Sequence, residues 1–254
     1  MIVDFHHHLG VSLDEYLGVL DRNDIIRSVL MPYDFGLLSE KDAYLASFNF
    51  EKSSEFVNGF LKRLDIINEK LLDSVKGINK IVFTPWLSPM CDNLDSFTGA
   101  RVVKFVPVFD NFTPDYFIRI KPLVSDSVSN GAIVMIHTGW GVPVKPIAKL
   151  ASEFPDGKFV IAHMKEDSDL YAKDRLEALS LSNVYCEASY LPHPKRISQY
   201  VSAGLGKKLL FGSDFRKLDD EQTIRGYKAM LMESDISIEK KYDILFNNAL
   251  GLLA

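Results

Sequence analysis

The stretch Ala132-Ile133-Val134-Met135-Ile136-His137-Thr138-Gly139 decides the fold. Its apolar run is short and uninterrupted, as in a strand covered on both faces, and it ends on a histidine and a glycine. Downstream, Ile147, Leu150 and Ala151 fall at helical spacing. Lys158–Ala162 then returns to the strand pattern and meets a second histidine, His163. Strand, helix, strand in this order calls for a parallel sheet. Working outward gives eight strand candidates: Ile2–Phe5, Ile25–Met31, Lys80–Thr84, Arg101–Val106, Ala132–His137, Lys158–Ala162, Asn183–Ala188 and Lys208–Phe211. Between the second and third, Phe56, Phe60, Leu61, Leu64, Ile67, Leu71 and Leu72 make one apolar helical stripe.

Eight strands in 254 residues predict an α/β fold, a single (β/α)₈ TIM barrel over residues 1–254. An open dinucleotide-binding sheet would want Gly-x-Gly-x-x-Gly after the first strand, and Leu9-Gly10-Val11-Ser12 supplies none. The connection from Leu87 to Ala100 has room for only a stub of helix, whereas Asp34 to Lys76 is long enough for extra helix over the barrel mouth. A net charge of −5 gives no electrostatic footing for nucleic acid or an acidic membrane surface. The apolar runs fall far short of the roughly 20 residues of a membrane-spanning helix. Cys91 and Cys186 stand far apart and in no ligand pair, as in a reducing compartment, and no leader precedes the first strand. The expectation is a cytoplasmic protein, with a homodimer as the base-rate oligomer.

Placement of the six histidines carries the chemistry. His6 and His8 close the first strand in Asp4-Phe5-His6-His7-His8; alternate strand residues share a face, so these two point together and His7 points away. His137 ends the fifth strand, His163 the sixth, and Asp214 follows the eighth in Phe211-Gly212-Ser213-Asp214. A barrel gathers all these ends at its C-terminal face, where such folds build active sites. Taken singly, a strand-end histidine is more often a hydrogen-bonded structural residue than a ligand. Imidazoles with a carboxylate, taken together, form a normal ligand set for zinc or a similar divalent ion. His193 follows the seventh strand and reads as surface loop. Arg216 suits a substrate carboxylate through its bidentate fork, Lys104 could share that task, and Trp86, Trp140 and Tyr190 could line an apolar pocket.

On these residues the chain resembles the amidohydrolase superfamily, in particular its amidohydrolase 2 branch of metal-dependent hydrolases and decarboxylases. The opening is similar to that family's Asp-x-His-x-His, Ile136-His137-Thr138-Gly139 to its fifth-strand signature, Phe211-Gly212-Ser213-Asp214 to its eighth, and Asn248-Ala249-Leu250 to its closing helix. The resemblance implies that His6, His8, His137 and Asp214 are metal ligands, that His163 polarises the substrate carbonyl or helps to hold a second metal, and that Lys104 is the fourth-strand lysine. It implies one ion, zinc being favoured, or two if Lys104 is carboxylated. Phe105 and Val106 after that lysine, Met164-Lys165-Glu166 after His163, and Arg216-Lys217 after Asp214 depart from the family pattern and bear on the substrate.

The implied chemistry is hydrolysis of a C–O or C–N bond (ester, lactone or amide) in a small carboxylated molecule by metal-activated water, with Asp214 as acid–base and His163 stabilising the oxyanion. The same site would serve a non-oxidative decarboxylase of an unsaturated or aromatic acid. A third reading is a barrel that has lost catalysis and binds a ligand. A related deoxyribonuclease family also opens His-x-His, but carries glutamate where this chain has Lys104.

Overall fold

In a computed structural model the described residues are 1–32, 64–89, 97, 99–107, 110, 115–139, 141–164, 169–191 and 193–254. The strands are β1 (Ile2–Leu9), β2 (Ile25–Pro32), β3 (Ile81–Phe83), β4 (Trp86–Leu87), β5 (Val102–Phe105), β6 (Ile133–His137), β7 (Lys158–Ala162), β8 (Val184–Glu187) and β9 (Leu209–Leu210). The helices are α1 (Leu13–Arg22), α2 (64–75), α3 (Tyr116–Arg119), α4 (Lys121–Ser129), α5 (Lys145–Glu153), α6 (Asp169–Leu179), α7 (Pro194–Ser202), α8 (Glu221–Glu233), α9 (Ile238–Tyr242) and α10 (Asn248–Leu253). A Ser12–Glu15 capping box starts α1.

All pairings are parallel, in the order β1-β2-β3 and β4-β5-β6-β7-β8-β9. β3 and β4 are two halves of one barrel strand. Thr84 N–H still donates to Leu30 O on the β2 side (2.9 Å), while Pro85 O accepts from Lys104 N–H on the β5 side (2.9 Å). Proline has no N–H to offer the ladder, so the strand predicted to end at Thr84 breaks there and resumes. Trp86 therefore lies in the strand itself and not in a loop beyond it. The circle closes between β9 and β1 through Phe5 N–H to Phe211 O (2.9 Å), Asp214 N–H to His6 O (2.9 Å) and His8 N–H to Phe215 O (2.7 Å). This is the eight-stranded TIM barrel.

Two apolar clusters follow from strand alternation. Val3, Phe5, Val29, Met31, Val102, Ile133, Met135, Val160, Ala162 and Leu210 pack together inside the barrel. Their neighbours Val103, Phe105, Val134, Ile136, Phe159, Ile161, Val184 and Cys186 pack outward against the helices. Of the predicted stripe in the long connection, Phe56, Phe60 and Leu61 lie outside the described residues. Leu64 and Leu71 are buried, but Leu72 is exposed and the face continues through Asn68 and Val75. Asn68 is there because its amide pairs both ways with the Trp86 backbone: Nδ2 donates to Trp86 O (2.8 Å) and Oδ1 accepts Trp86 N–H (3.0 Å).

Candidate metal centre

Interior alternation through Val3 and Phe5 would send His7, not His6, into the barrel. A register shift between Asp4 and His7 reverses the parity, as bulges beside active sites do. His6 and His8 turn into the mouth. His7 turns outward, donating from Nε2 to Asp4 Oδ2 (2.8 Å) and accepting from the Tyr16 hydroxyl at Nδ1 (2.9 Å). Asp4 Oδ1 also accepts His6 N–H and Ser213 N–H, each at 3.1 Å. One carboxylate thus staples the His6 strand to the turn that carries Asp214.

His163 and Asp214 are re-aimed in a different way. Both hold left-handed backbone, with φ of 72° and 54°. Tyr190, with φ of 58°, does the same after β8. Non-glycine residues rarely adopt this conformation, and it clusters at functional sites. The Tyr190 ring stands edge-on to His163 with centroids 5.2 Å apart.

The resulting donor geometry is compact. His6 Nε2 lies 3.2 Å from His8 Nε2, and Asp214 Oδ1 lies 3.4 Å and 3.3 Å from these two nitrogens. His8 Nδ1 donates to the Pro32 carbonyl (3.0 Å) and His6 Nδ1 donates to the Glu187 carboxylate (2.8 Å). With both Nδ1 atoms protonated, the Nε2 lone pairs and a carboxylate oxygen face one point. Three acceptors so placed repel unless a positive charge sits among them, a metal ion or a proton. Zinc bonds of about 2.0–2.1 Å in tetrahedral arrangement set donors about 3.3–3.4 Å apart, so the donor set fits such an ion.

The remaining expected residues fall around this triad. His163 joins His6 and Glu187 in a second group of three close donors. His137 belongs to neither group; its Nδ1 lies 2.9 Å from His163 Nε2, and it borders the cluster through that contact. Lys104 is buried with Nζ 3.4 Å from His6 Nε2, and burial pulls its ammonium down to about 8 against the attraction of Glu187 and Asp214. Burial lowers His8 to about 4 and takes His137 and His163 well below the usual imidazole range. It would raise the Asp214 and Glu187 carboxyls, but the facing His6 imidazole overrides it and both are held below the usual carboxylate range. Arg216 is half-buried beside Asp220 (3.7 Å). Trp86 is buried, edge-on to His8 with centroids 5.6 Å apart. Trp140 lies outside the described residues. His193 is exposed and caps α7, its Nδ1 accepting Lys195 N–H at 3.1 Å.

Glu187 was not among the expected site residues. It is completely buried and accepts from His6 Nδ1, from His163 N–H (2.6 Å) and from Ser189 N–H and Oγ–H (2.8 Å each). The available signal was an acidic residue inside the otherwise apolar Val184-Tyr185-Cys186-Glu187-Ala188. Buried acids are rare unless paired.

The parallel barrel thus carries a buried histidine–carboxylate cluster at the C-terminal face, where folds of this class build their active sites. A profile of the amidohydrolase family matches residues 94–253, well over half of the sequence, and the chain belongs to that family. No curated protein sequence matches the chain. Among solved structures, a probable 2-pyrone-4,6-dicarboxylic acid hydrolase from Acinetobacter baumannii, with citric acid bound, is similar at TM-score 0.68 and 14% identity, over 99% of this chain and 98% of that one. 4-Oxalomesaconate hydratase from Rhodopseudomonas palustris reaches 0.63 at 17%, over 100% and 95%. 5-Carboxyvanillate decarboxylase from Sphingomonas paucimobilis reaches 0.63 at 11%, over 99% and 98%. At these identities the likeness concerns the fold. Among the described residues no helix is long and apolar enough to cross a membrane.

Proposed function

We propose that this chain is a metal-dependent hydrolase that cleaves a C–O or C–N bond, in an ester, lactone or amide, of a small carboxylated molecule. The observation that carries the proposal is the convergence of His6 Nε2, His8 Nε2 and Asp214 Oδ1 on one point. His6, His8 and Asp214 would hold one divalent ion, zinc by preference, with His137 beside them through His163. When bound, such an ion supplies Lewis acidity, polarising a carbonyl and acidifying water. Asp214 accepts the water's proton and returns it to the leaving group. His163 would stabilise the oxygen on which charge develops only once protonated at Nε2; in its neutral resting form it positions His137. Arg216 and Lys104 offer cations to a substrate carboxylate. The carboxylated compounds in the names of the three structural neighbours support that substrate class.

Non-oxidative decarboxylation is a second reading, favoured by the decarboxylase among the neighbours. Incubating metal-loaded protein with carboxylated lactones, esters and amides, and separately with hydroxylated aromatic acids, separates the two. Acid release from the first set supports hydrolysis; CO₂ release from the second alone replaces it with decarboxylation. Silence in both, with metal bound, would favour a barrel that only binds its ligand.

A further inference from the structure

Hydrogen-bond direction runs one way through the site, and it starts at Glu187. An ionised carboxylate only accepts. Ser189 Oγ donates to Glu187 Oε1 (2.8 Å), so this hydroxyl's single proton is committed. Its contact with His163 Nδ1 (2.7 Å) must then run from the imidazole to the hydroxyl oxygen, which places the proton of His163 on Nδ1. A neutral His163 therefore presents a lone pair at Nε2, and the 2.9 Å contact there must be donated by His137 Nδ1. The lone pair of His137 is left on Nε2. On the other branch, His6 Nδ1 donates directly to Glu187.

From this we infer that Glu187 is a positioning residue that sets the proton placement of three histidines: His6 directly, and His163 and His137 through Ser189. Each is held with its proton on Nδ1; Nε2 of His6 and of His137 keeps its lone pair for a cation, while that of His163 accepts from His137 Nδ1–H. The site is built around this carboxylate. Four donors converge on it, and a Cβ at residue 212 would stand 2.2 Å from Oε2, so the eighth-strand backbone approaches it only as glycine. Carboxylates that fix the second nitrogen of a ligand histidine are a general device for tuning metal affinity. The inference deepens the metal-site proposal and rests on it for its purpose, but proton placement can be measured without metal.

The experiment is ¹⁵N–¹H correlation of the imidazole side chains in metal-free protein, followed by zinc titration. In the wild type, His137 and His163 are expected as Nδ1–H tautomers, and His6 with Nδ1 protonated. An Nε2–H tautomer at His137 or His163 overturns the inference, whatever the metal content. Glu187→Gln is expected to introduce Nε2–H tautomer at His163 and to weaken zinc binding about 10- to 100-fold, with Glu187→Asp recovering part of both. Should Glu187→Gln fail to fold, Ser189→Ala decides. It is expected to mix the tautomers of His163 and His137 while His6 Nδ1 stays protonated. Unchanged tautomers in the folded variants overturn the inference.

Discussion

The Nε2 atoms of His6 and His8 face each other across 3.2 Å, with Asp214 Oδ1 within 3.4 Å of both. Their other ring nitrogens are tied to Glu187 and to Pro32 O. Neither ring can turn its lone pair aside without breaking a buried hydrogen bond, so the proposed cation site is preorganised. Its rigidity comes from groups that never touch the cation, and these give the most direct tests.

Asp4 is the first. It takes the His7 imidazole, His6 N–H and Ser213 N–H, all buried. Asp4→Ala leaves three donors without their acceptor and unpins Asp214 from the first strand. Breaking a buried charged network from one side costs about 3–5 kcal/mol. Urea unfolding should show a loss of that order; a loss under about 1 kcal/mol would mean that the staple contributes little.

Gly212 is the second. A methyl at this position cannot coexist with Glu187 Oε2 as placed. Gly212→Ala should displace the carboxylate, destabilise the fold by about 1–3 kcal/mol as overpacking does, and lower zinc affinity in isothermal titration. Wild-type affinity in a folded Gly212→Ala protein would show that Glu187 has room to spare.

The buried histidines set a pH dependence. Burial lowers His8 from its ordinary 6.5 to about 4, and His137 and His163 also lie well below that range. Between pH 6.5 and 4 the unfolded chain therefore binds protons that the folded chain refuses. Stability present above 6.5 is lost as pH falls through this window. For His8 the loss is about 3 kcal/mol, at about 1.4 kcal/mol per pKa unit. Metal-free protein should show a falling urea midpoint from pH 6.5 to 4, less steep in His8→Gln. Equal slopes in both would contradict the assignment.

Much of this was legible in the sequence because strand and ligand signals are local. Ile133–His137 announces a buried strand by composition alone, and the His6-x-His8 spacing puts two imidazoles on one face. Which face was not legible. The register shift near His6 is set by closure against Phe211 to Phe215, over 200 residues away in sequence. The left-handed turns at His163 and Asp214 were equally hidden, since neither is the glycine that such a backbone suggests. Glu187 escaped because its partners, His6 and Ser189, come from different strands and a loop. Asn68 escaped because an amide that substitutes for a strand neighbour looks like a break in an apolar stripe.

Metal content tests the central claim most directly, measured on untagged protein purified without chelators beside the His6→Ala/His8→Ala double variant. The expected result is close to one equivalent of a divalent ion, zinc first, in the wild type, and none in a folded double variant. Nearly two equivalents would bring Lys104 in as a carboxylated bridge. No metal in the wild type, even after reloading, would contradict the account.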